Sequence, residues 1–374
     1  MPDRKKIILV YSTAGLGHKK AALALESVIK THGDRAEVKA VDIMEYASSF
    51  YRFIYLDLYV FLMKKARWLW AFMFYVSDNV LFDIMARKIR GRLDYSGVRS
   101  LEDLLREEKA DAVVATHFLV TSIALILKSR GVQSKLFAVV TDYGPHAYWV
   151  SRGVDKYFVG CEWTRSELIR KGVPGERIVV TGIPTTGEFH EEHDTTALKK
   201  HYGVDPDRKT VFIMSGGFGV GPVGKMLKAM KDTSSRIQVI AVCGHNEKLY
   251  SELEDISGSL NYPVKLFGFT DKVAELMAIS DLMITKAGGI SVTEAMDSEL
   301  PMVLYGSIPG QETWNEKMLL EAGAAELAKS INDIPRIVDH VFGSQDTYYS
   351  FKKSIREARK PFAARDITRE VMES

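Results

Sequence analysis

The 374-residue sequence has little cysteine, little net charge and no long apolar run. Its two cysteines, Cys161 and Cys243, lie far apart and outside any Cys-x-x-Cys pair, which argues against a disulfide framework or a zinc site and favours a reducing compartment. The 50 lysine and arginine residues against 48 aspartate and glutamate residues leave a net charge of +2. This balance excludes nucleic-acid binding through bulk charge, so no nucleic-acid partner is expected.

Apolar runs long enough to cross a membrane are missing as well. The longest uncharged run, residues 112–127, is shorter than the roughly 18 to 20 residues that span a bilayer, and it contains His117. The N-terminal run, Ile7 to Tyr11, is too short for the apolar core of a signal peptide. We therefore expect a cytoplasmic protein that does not cross a membrane but is able to lie on one.

Short apolar strands that alternate with turns and helices are what the sequence does contain. The first such unit runs from Ile7 to Tyr11, through Gly15 and Gly17, into a helix over 20–30. Further strands are predicted at 112–116, 136–141, 156–159, 178–181, 210–214, 238–242, 264–267, 282–285 and 301–304. This alternation predicts an α/β fold with parallel sheets that helices cover on both faces.

The strands fall into two series, which predicts two Rossmann-like domains. The N-terminal domain is expected over 1–184 and the C-terminal domain over 208–344, with a polar interdomain linker over 185–207. A C-terminal helix within 345–374 is free to return to the N-terminal domain. In such sheets ligands bind beyond the carboxyl ends of the strands, so the turns after the strands are the candidate sites.

One segment, residues 50–82, departs from this pattern because it concentrates aromatic residues, Trp68 and Trp70 among them. Basic residues lie between the rings and just beyond them: Lys64, Lys65, Arg67, Arg87, Lys88, Arg90 and Arg92. Rings next to cations suit the headgroup region of an anionic membrane. A pair of aromatic core helices, or a mixture of both roles, fits the same residues.

Three turns after predicted strands are rich in glycine or other small residues, at 15–18, 216–219 and 287–291. Glycine lets the backbone approach phosphate oxygens, and the free N–H groups and dipole of the following helix favour negative charge. A diphosphate is therefore the expected ligand. None of the turns is a Walker loop or a complete Gly-x-Gly-x-x-Gly motif, which argues against a kinase or a dehydrogenase.

The turn at 287–291 continues into Glu294, one to two helical turns further on. A carboxylate at this distance from a phosphate-binding helix end suits the two hydroxyls of a ribose, and a solvated helical glutamate is the alternative. After the next strand, Gln311 and Glu312 follow in a polar loop, and their side chains are able to bond sugar hydroxyls.

These motifs resemble those of a known family. Residues 284–289 and 308–312 resemble the C-terminal domain of the glycosyltransferases that include MurG and the monogalactosyldiacylglycerol synthases. Residues 15–19 and 141–146 resemble the N-terminal domain of plant galactolipid synthases and bacterial processive diacylglycerol glucosyltransferases. The chain is thus similar to glycosyltransferase family 28 over about residues 5–340.

The resemblance implies the GT-B architecture, in which two Rossmann-like domains face each other across a cleft. It also implies a UDP-hexose donor on the C-terminal domain, a lipid acceptor on the N-terminal domain, and an inverting transfer without metal or other cofactor. Donor-binding positions of the family match Gly216, Gly217, Ser291, Glu294, Gln311 and Glu312, and Phe269 stands where the uracil is held. Gly288 and Gly289 of the phosphate-binding turn complete the predicted donor site.

An inverting transfer needs a base that takes the proton of the acceptor hydroxyl. His18, Asp142 and His146 all follow predicted strands of the N-terminal domain, and the sequence does not choose among them. The dipole of the following helix is expected to lower the pKa of His18 and keep it neutral, whereas Asp142 needs a dry site that raises its pKa. His117 follows another strand and fits a structural hydrogen-bonding role equally well.

Two motifs contain the residue types of a metal site but do not occur in the structural setting that such a site requires. Asp205-Pro206-Asp207 matches the Asp-x-Asp pair of metal-dependent sugar transferases, but it precedes a strand and contains a turn proline. His190 and His193 stand among glutamates in the polar stretch, where a solvated linker is the better interpretation. No metal site is predicted.

The sequence therefore predicts a glycosyltransferase that moves glucose or galactose from a UDP-hexose to a lipid, with diacylglycerol as the expected acceptor. We expect it on the inner leaflet of the membrane as a peripheral protein. Three other functions share parts of the pattern: a non-hydrolysing sugar-nucleotide epimerase, a soluble or polyprenyl-acceptor glycosyltransferase, and a non-enzymatic membrane adaptor.

Overall fold

The computed structural model describes residues 4–13, 15–58, 61–62, 66–214 and 221–374, and the side chains at 57, 67 and 80–88 lie outside the description. The chain divides into two compact units. The first comprises Met1–Thr186, Pro309–Trp314 and Lys360–Ser374, and the second comprises Gly187–Ile308 and Asn315–Arg359.

The first unit is built on a parallel sheet of six strands in the order β2-β1-β3-β4-β5-β6. Its strands are β1 (Lys5–Tyr11), β2 (Ala36–Asp42), β3 (Ala112–Ala115), β4 (Lys135–Val139), β5 (Lys156–Val159) and β6 (Ile178–Val180). Because β2 and β3 pair with opposite edges of β1, the winding direction reverses between β1 and β3. Folds of this type bind ligands beyond the carboxyl ends of the strands at such a switch point.

Helices cover both faces of this sheet. They are α1 (Leu16–Lys30), α2 (Ser49–Arg52, followed by a π-helical turn at Phe53–Leu58), α3 (Arg67–Ser77), α4 (Val80–Gly97), α5 (Ser100–Glu108), α6 (Phe118–Ser129) and α7 (Glu162–Arg170). Along β1 the side chains alternate: Ile7 and Leu9 join the core formed with α1, and Ile8 and Val10 join the core formed with α6. Burial on both faces explains why β1 is an unbroken apolar run.

The second unit contains another parallel six-stranded sheet, in the order β12-β11-β10-β7-β8-β9. Its strands are β7 (Lys209–Met214), β8 (Ile237–Val242), β9 (Val264–Phe267), β10 (Leu282–Thr285), β11 (Met302–Leu304) and β12 (Ala325–Leu327). Here β8 and β10 pair with opposite edges of β7, so the switch point lies between β7 and β10.

The remaining helices follow along the chain. They are α8 (Thr195–Tyr202), α9 (Val223–Ala229), α10 (Glu247–Ser257), α11 (Val273–Ala278), α12 (Gly289–Asp297), α13 (Gln311–Glu321), α14 (Ile334–Gly343), α15 (Gln345–Ala358) and α16 (Ala363–Glu373). The last helix belongs to the first unit, where Ile367 and Val371 pack in the same core as α1. Among the described helices, none combines the length and the apolar content needed to cross a membrane.

The predicted α/β fold with two Rossmann-like units is confirmed, and the predicted strands are present with small shifts at their ends. Two strands were missing from the prediction, β2 and β12, and each forms an edge of its sheet. Edge strands bury less of their surface, and in β2 the charged Glu37 and Lys39 interrupt the apolar pattern.

Two predicted boundaries differ from the structure. The stretch 185–207, expected as a linker, is mostly folded into the second unit: it contains α8, and the Tyr202 hydroxyl donates a hydrogen bond to Glu275 at 2.6 Å. The single terminal helix expected within 345–374 is two helices, α15 and α16. The break falls at Pro361, because proline has no N–H to donate and disfavours helical geometry in the residue before it.

Candidate active site

Polar residues that follow β1, β3 and β4 meet at the carboxyl edge of the first sheet. His18 lies in the first turn of α1, Thr116 directly follows β3, and Thr141 lies two residues beyond β4. Nδ1 of His18 is 2.7 Å from the carbonyl oxygen of Thr116 and 2.9 Å from Oγ1 of Thr141. The hydroxyl of Thr116 in turn donates to the carbonyl oxygen of His18 at 2.8 Å. The three residues meet because β1, β3 and β4 are neighbours in the sheet.

These contacts determine which nitrogen of His18 carries the proton. A backbone carbonyl accepts hydrogen bonds and never donates them, so the 2.7 Å contact places the proton on Nδ1. In a neutral imidazole the other nitrogen then offers a lone pair. Among the residues that the structure describes, none hydrogen-bonds Nε2 of His18. His18 therefore presents a nitrogen that is able to accept a proton.

The protonation of His18 is shifted by its surroundings. Burial lowers the pKa of His18 to about 4. The hydrogen bond to the Thr116 carbonyl acts in the opposite direction and offsets only part of this lowering. The expected lowering is thus present, with burial rather than the helix dipole as its main cause. At neutral pH the side chain is uncharged, as a general base must be before it acts.

His146, the second candidate, is engaged through both ring nitrogens. Its Nδ1 accepts the backbone N–H of Tyr148 at 3.1 Å, and its Nε2 lies 3.1 Å from the carbonyl oxygen of Phe74 and 3.2 Å from the hydroxyl of Ser77. The Phe74 carbonyl again requires a donor, so the proton sits on Nε2. Burial lowers the pKa of His146 to about 4 as well. These bonds tie the loop after β4 to the end of α3 and leave no ring nitrogen available to accept a proton.

Asp142 and His117 lie close to the same edge of the sheet. Asp142 is partly buried and directly follows Thr141. Nδ1 of His117 accepts the N–H of Leu119 at 3.3 Å and so caps α6. The rings of His117 and His18 meet edge to face, with centroids 4.7 Å apart. His117 thus has the structural role that the sequence left open, and it also packs on the candidate base.

In the second unit, α12 begins at the switch point beside β7. Gly288 occupies the N-cap of α12, so no side chain caps the first N–H groups of the helix. The turn before it is held in two places: Thr285 Oγ1 donates to the Met214 carbonyl at 2.9 Å, and Asn315 Nδ2 donates to the Ala287 carbonyl at 2.9 Å. Gly288 and Gly289 therefore lie where an anion is expected to bind. Gly216 and Gly217, predicted on the loop after β7, lie outside the described residues.

Other predicted donor residues surround the same edge of the second sheet. Ser291 lies in the first turn of α12 and is partly exposed, whereas Glu294, on the same helix, is only 2% exposed. Burial of Glu294 argues against a solvated surface glutamate, because an ionised carboxylate seldom leaves water unless it is paired. Phe269 follows β9, is 64% exposed, and stacks on His245 with ring centroids 4.3 Å apart.

Gln311 and Glu312 form the first turn of α13. Glu312 is buried and Gln311 partly exposed. Asn315, which the sequence did not single out, follows on the same helix, is fully buried, and makes the bond to the Ala287 carbonyl. The sequence signal for Asn315 is weak, because one asparagine in a helix is compatible with many roles.

Both metal-like motifs make local hydrogen bonds within the chain. Asp205 and Asp207 form the turn before β7, where Asp205 accepts the N–H of Asp207 at 2.9 Å and the guanidinium of Arg208 at 3.2 Å. His193 bonds the Glu188 carbonyl through Nε2 at 2.7 Å. Within the described part of the chain, no group of three or more His, Cys, Asp or Glu side chains is arranged to hold a metal ion.

Helix α3, in the aromatic segment, has two different faces. Phe74 is buried against the rings of His146 and Trp314, with centroids 4.6 Å and 5.4 Å away. On the opposite side Trp68 is 75% exposed and Phe72 63% exposed, and further exposed residues are Met73, Tyr75 and Val76. The helix thus combines a core contact with an exposed aromatic surface.

The basic residues predicted around this segment are only partly described. Lys64 and Lys65 lie outside the described residues, as do the side chains of Arg67, Arg87 and Lys88. The guanidinium of Arg90 lies over the Tyr148 ring, 4.0 Å from its centroid, and Arg92 is exposed.

Comparison with known proteins bears on both units. Residues 18–185 match the family model for monogalactosyldiacylglycerol (MGDG) synthase, and residues 210–334 match the model for the glycosyltransferase family 28 C-terminal domain. A processive diacylglycerol beta-glucosyltransferase of Bacillus licheniformis is 30% identical over 277 residues, which cover 74% of this chain and 72% of the relative. The enzyme of the same name from Bacillus mycoides is 27% identical over 98% of this chain and 93% of its own length.

Solved structures support the architecture. MurG of Acinetobacter baumannii superposes with a TM-score of 0.65 at 13% identity, covering 99% of this chain and all of its own. Anabaena HepE, solved with UDP-glucose, superposes with a TM-score of 0.59 at 16% identity, covering 98% of both chains. At these identities the likeness shows the GT-B fold and no more. From the sequence matches, the chain belongs to glycosyltransferase family 28, together with the monogalactosyldiacylglycerol synthases and the processive diacylglycerol glucosyltransferases, and is a glycosyltransferase.

Proposed function

We propose that the protein transfers a hexose from a UDP-hexose to the free hydroxyl of diacylglycerol, with inversion at the anomeric carbon and without a metal ion. The observation that carries the proposal is the alignment, over nearly the full length of both chains, with relatives named processive diacylglycerol beta-glucosyltransferase. Their name favours glucose over galactose as the transferred sugar.

The donor is assigned to the carboxyl edge of the second sheet. The uncapped start of α12 at Gly288 and Gly289 suits the diphosphate, since its N–H groups and helix dipole favour negative charge. Glu294, buried on the same helix, is assigned to the ribose hydroxyls, and Phe269 to the uracil. Gln311 and Glu312 are assigned to the hydroxyls of the hexose.

The proposed transfer is a single displacement. Nε2 of His18 takes the proton of the acceptor hydroxyl, the hydroxyl oxygen bonds to the anomeric carbon, and the bond from that carbon to the diphosphate oxygen breaks. The leaving UDP carries the electron pair away, and the amides of α12 stabilise its negative charge. Attack from the face opposite the leaving group inverts the anomeric configuration.

The direct test is to incubate the purified protein with radiolabelled UDP-glucose or UDP-galactose and vesicles that contain diacylglycerol, with and without EDTA. The proposal expects a labelled glycolipid, unchanged by EDTA, whose new bond is β when made from the α-linked donor. Conversion of the UDP-sugar without lipid would indicate an epimerase. Transfer only to a polyprenyl or water-soluble acceptor would overturn the assigned substrate.

The donor assignment has its own test in Glu294→Ala. Removal of the carboxylate is expected to weaken UDP binding at least tenfold in calorimetry, because two hydrogen bonds to a charged group are lost. Glu252→Ala, which removes an exposed carboxylate from α10, serves as the control for a lost carboxylate. Unchanged UDP affinity of the Glu294 variant would remove the proposed ribose contact.

We also propose that α3 rests on the membrane through its exposed aromatic face. The double variant Trp68→Ser and Phe72→Ser is expected to lose tenfold or more of its affinity for phosphatidylglycerol vesicles in flotation, since each buried ring contributes on the order of 2 kcal/mol. Tyr349→Ser is a matched control, because Tyr349 is 60% exposed on α15. Equal flotation of both variants would exclude α3 as the membrane contact.

A further inference from the structure

We infer that the hydroxyl of Thr141 is a positioning group for the transfer: it orients the ring of His18 so that the Nε2 lone pair stays available to the acceptor hydroxyl. The inference deepens the proposed function and rests on it, since it takes His18 as the base. Thr141 would not touch either substrate and would act only through the imidazole.

The first support is the pair of acceptors at Nδ1. The Thr116 carbonyl at 2.7 Å and the Thr141 hydroxyl oxygen at 2.9 Å lie on the loops after β3 and β4, so the single N–H of the ring is shared between two neighbouring strands. One acceptor leaves an imidazole free to pivot about that bond. Two acceptors on separate elements fix the plane of the ring.

The second support is burial. Thr141 is 3% exposed and Thr116 is fully buried, so water does not readily replace either oxygen. An acceptor lost from this environment leaves the Nδ1–H with one partner, and the ring becomes able to turn about that single bond. Once the ring turns away from the Thr116 carbonyl, that carbonyl no longer holds the proton on Nδ1. A ring with its proton on Nε2 no longer accepts the proton of the acceptor hydroxyl.

The third support is the charge of the two partners. When His18 takes the proton, the imidazolium keeps its Nδ1–H on both oxygens, which are neutral. Neutral partners orient the ring without the strong increase in basicity that a carboxylate would cause. Two neutral oxygens, the Thr116 carbonyl and the Thr141 hydroxyl, thus hold the ring of a base that is uncharged before it acts.

The test compares Thr141→Val, which keeps the shape and removes the hydroxyl, with Thr141→Ser, which restores it. We expect Thr141→Val to lower kcat about tenfold with little change in the KM for UDP-hexose, and Thr141→Ser to recover most of the loss. Thr210→Val is the matched control, because Thr210 is fully buried in the second unit and its hydroxyl accepts a bond from Gln238 at 3.1 Å.

A spectroscopic measurement separates positioning from a structural role. Long-range proton–nitrogen correlation spectra of the ¹⁵N-histidine-labelled protein report which imidazole nitrogen carries the proton, and comparison with His18→Asn assigns the signal. In the wild-type protein His18 is expected with Nδ1 protonated and Nε2 unprotonated; in Thr141→Val the two nitrogens are expected to move toward intermediate shifts.

The outcomes distinguish the assignment of His18 as the base from the positioning role of Thr141. If His18→Asn retains the wild-type kcat, the base assignment fails, and the role of Thr141 fails with it. If His18→Asn is inactive but Thr141→Val matches the wild type, only the positioning role fails. A wild-type spectrum with the proton on Nε2 also overturns the inference, and this measurement needs no variant to fold.

Discussion

His18 and His146 look alike by most measures and differ in what their nitrogens contact. Both lie in the first unit beyond the end of a strand, and burial lowers the pKa of each to about 4. In His146 both nitrogens form hydrogen bonds with the protein, whereas the described hydrogen bonds of the His18 ring involve Nδ1 alone. A lowered pKa therefore does not distinguish a base from a structural histidine. The hydrogen bonds of the second nitrogen are what favour His18 over His146 as the proposed base.

The largest effect is expected from His18→Asn. The asparagine amide is able to donate to the Thr116 carbonyl as Nδ1 does, but it cannot take a proton, so kcat is expected to fall about 10² to 10⁴-fold. Initial rates of glycolipid formation measure this, with UDP affinity by calorimetry as the control for an intact donor site. A rate within a few-fold of the wild type would contradict the proposed role of His18 as the base.

Both histidines should lower the free energy of unfolding in acid to a similar extent. Their pKa of about 4 in the folded chain lies below the ordinary value of 6.5, so between these values the unfolded chain binds more protons. The free energy of unfolding is therefore expected to fall as pH drops from 6.5 toward 4, by up to about 1.4 kcal/mol per pH unit for each histidine.

Urea unfolding at pH 7, 6 and 5 measures that slope. His18→Asn and His146→Asn should each flatten it by a similar amount, although only the first should abolish transfer. If neither variant changes the slope, burial does not keep these side chains uncharged.

The smallest effect is expected from His146→Asn at pH 7. Asparagine is able to keep the bond from the Tyr148 N–H, as it does in helix caps, but it loses the donation to the Phe74 carbonyl. That carbonyl also accepts the Asp78 N–H at 3.0 Å, so the cost in unfolding free energy should be only about 1 to 2 kcal/mol. The folded variant should keep kcat within a few-fold, and a hundredfold loss would make His146 a second candidate base.

Much of the fold was predictable because most strands are buried on both faces and read as apolar runs. The two strands that escaped prediction, β2 and β12, lie at sheet edges, where charged residues break the pattern. The stretch 185–207 differs from its prediction for a related reason: α8 has no buried residue, and polar surface helices resemble linkers in sequence. Pro361 is the local sequence signal for the break between α15 and α16.

The candidate site also has features that the sequence predicts and features that only the structure shows. The sequence alone determined the family and the parts of the site that are local patterns. These patterns are the glycines at strand ends, Glu294 after a glycine turn, and the histidines after β1 and β4. The preference for His18 over His146 as the proposed base rests on the tertiary structure alone. The partners that place the proton on Nδ1 of His18 lie 98 and 123 residues away. One of these partners is a backbone carbonyl, which every residue type has, so only the order of the strands decides where it lies.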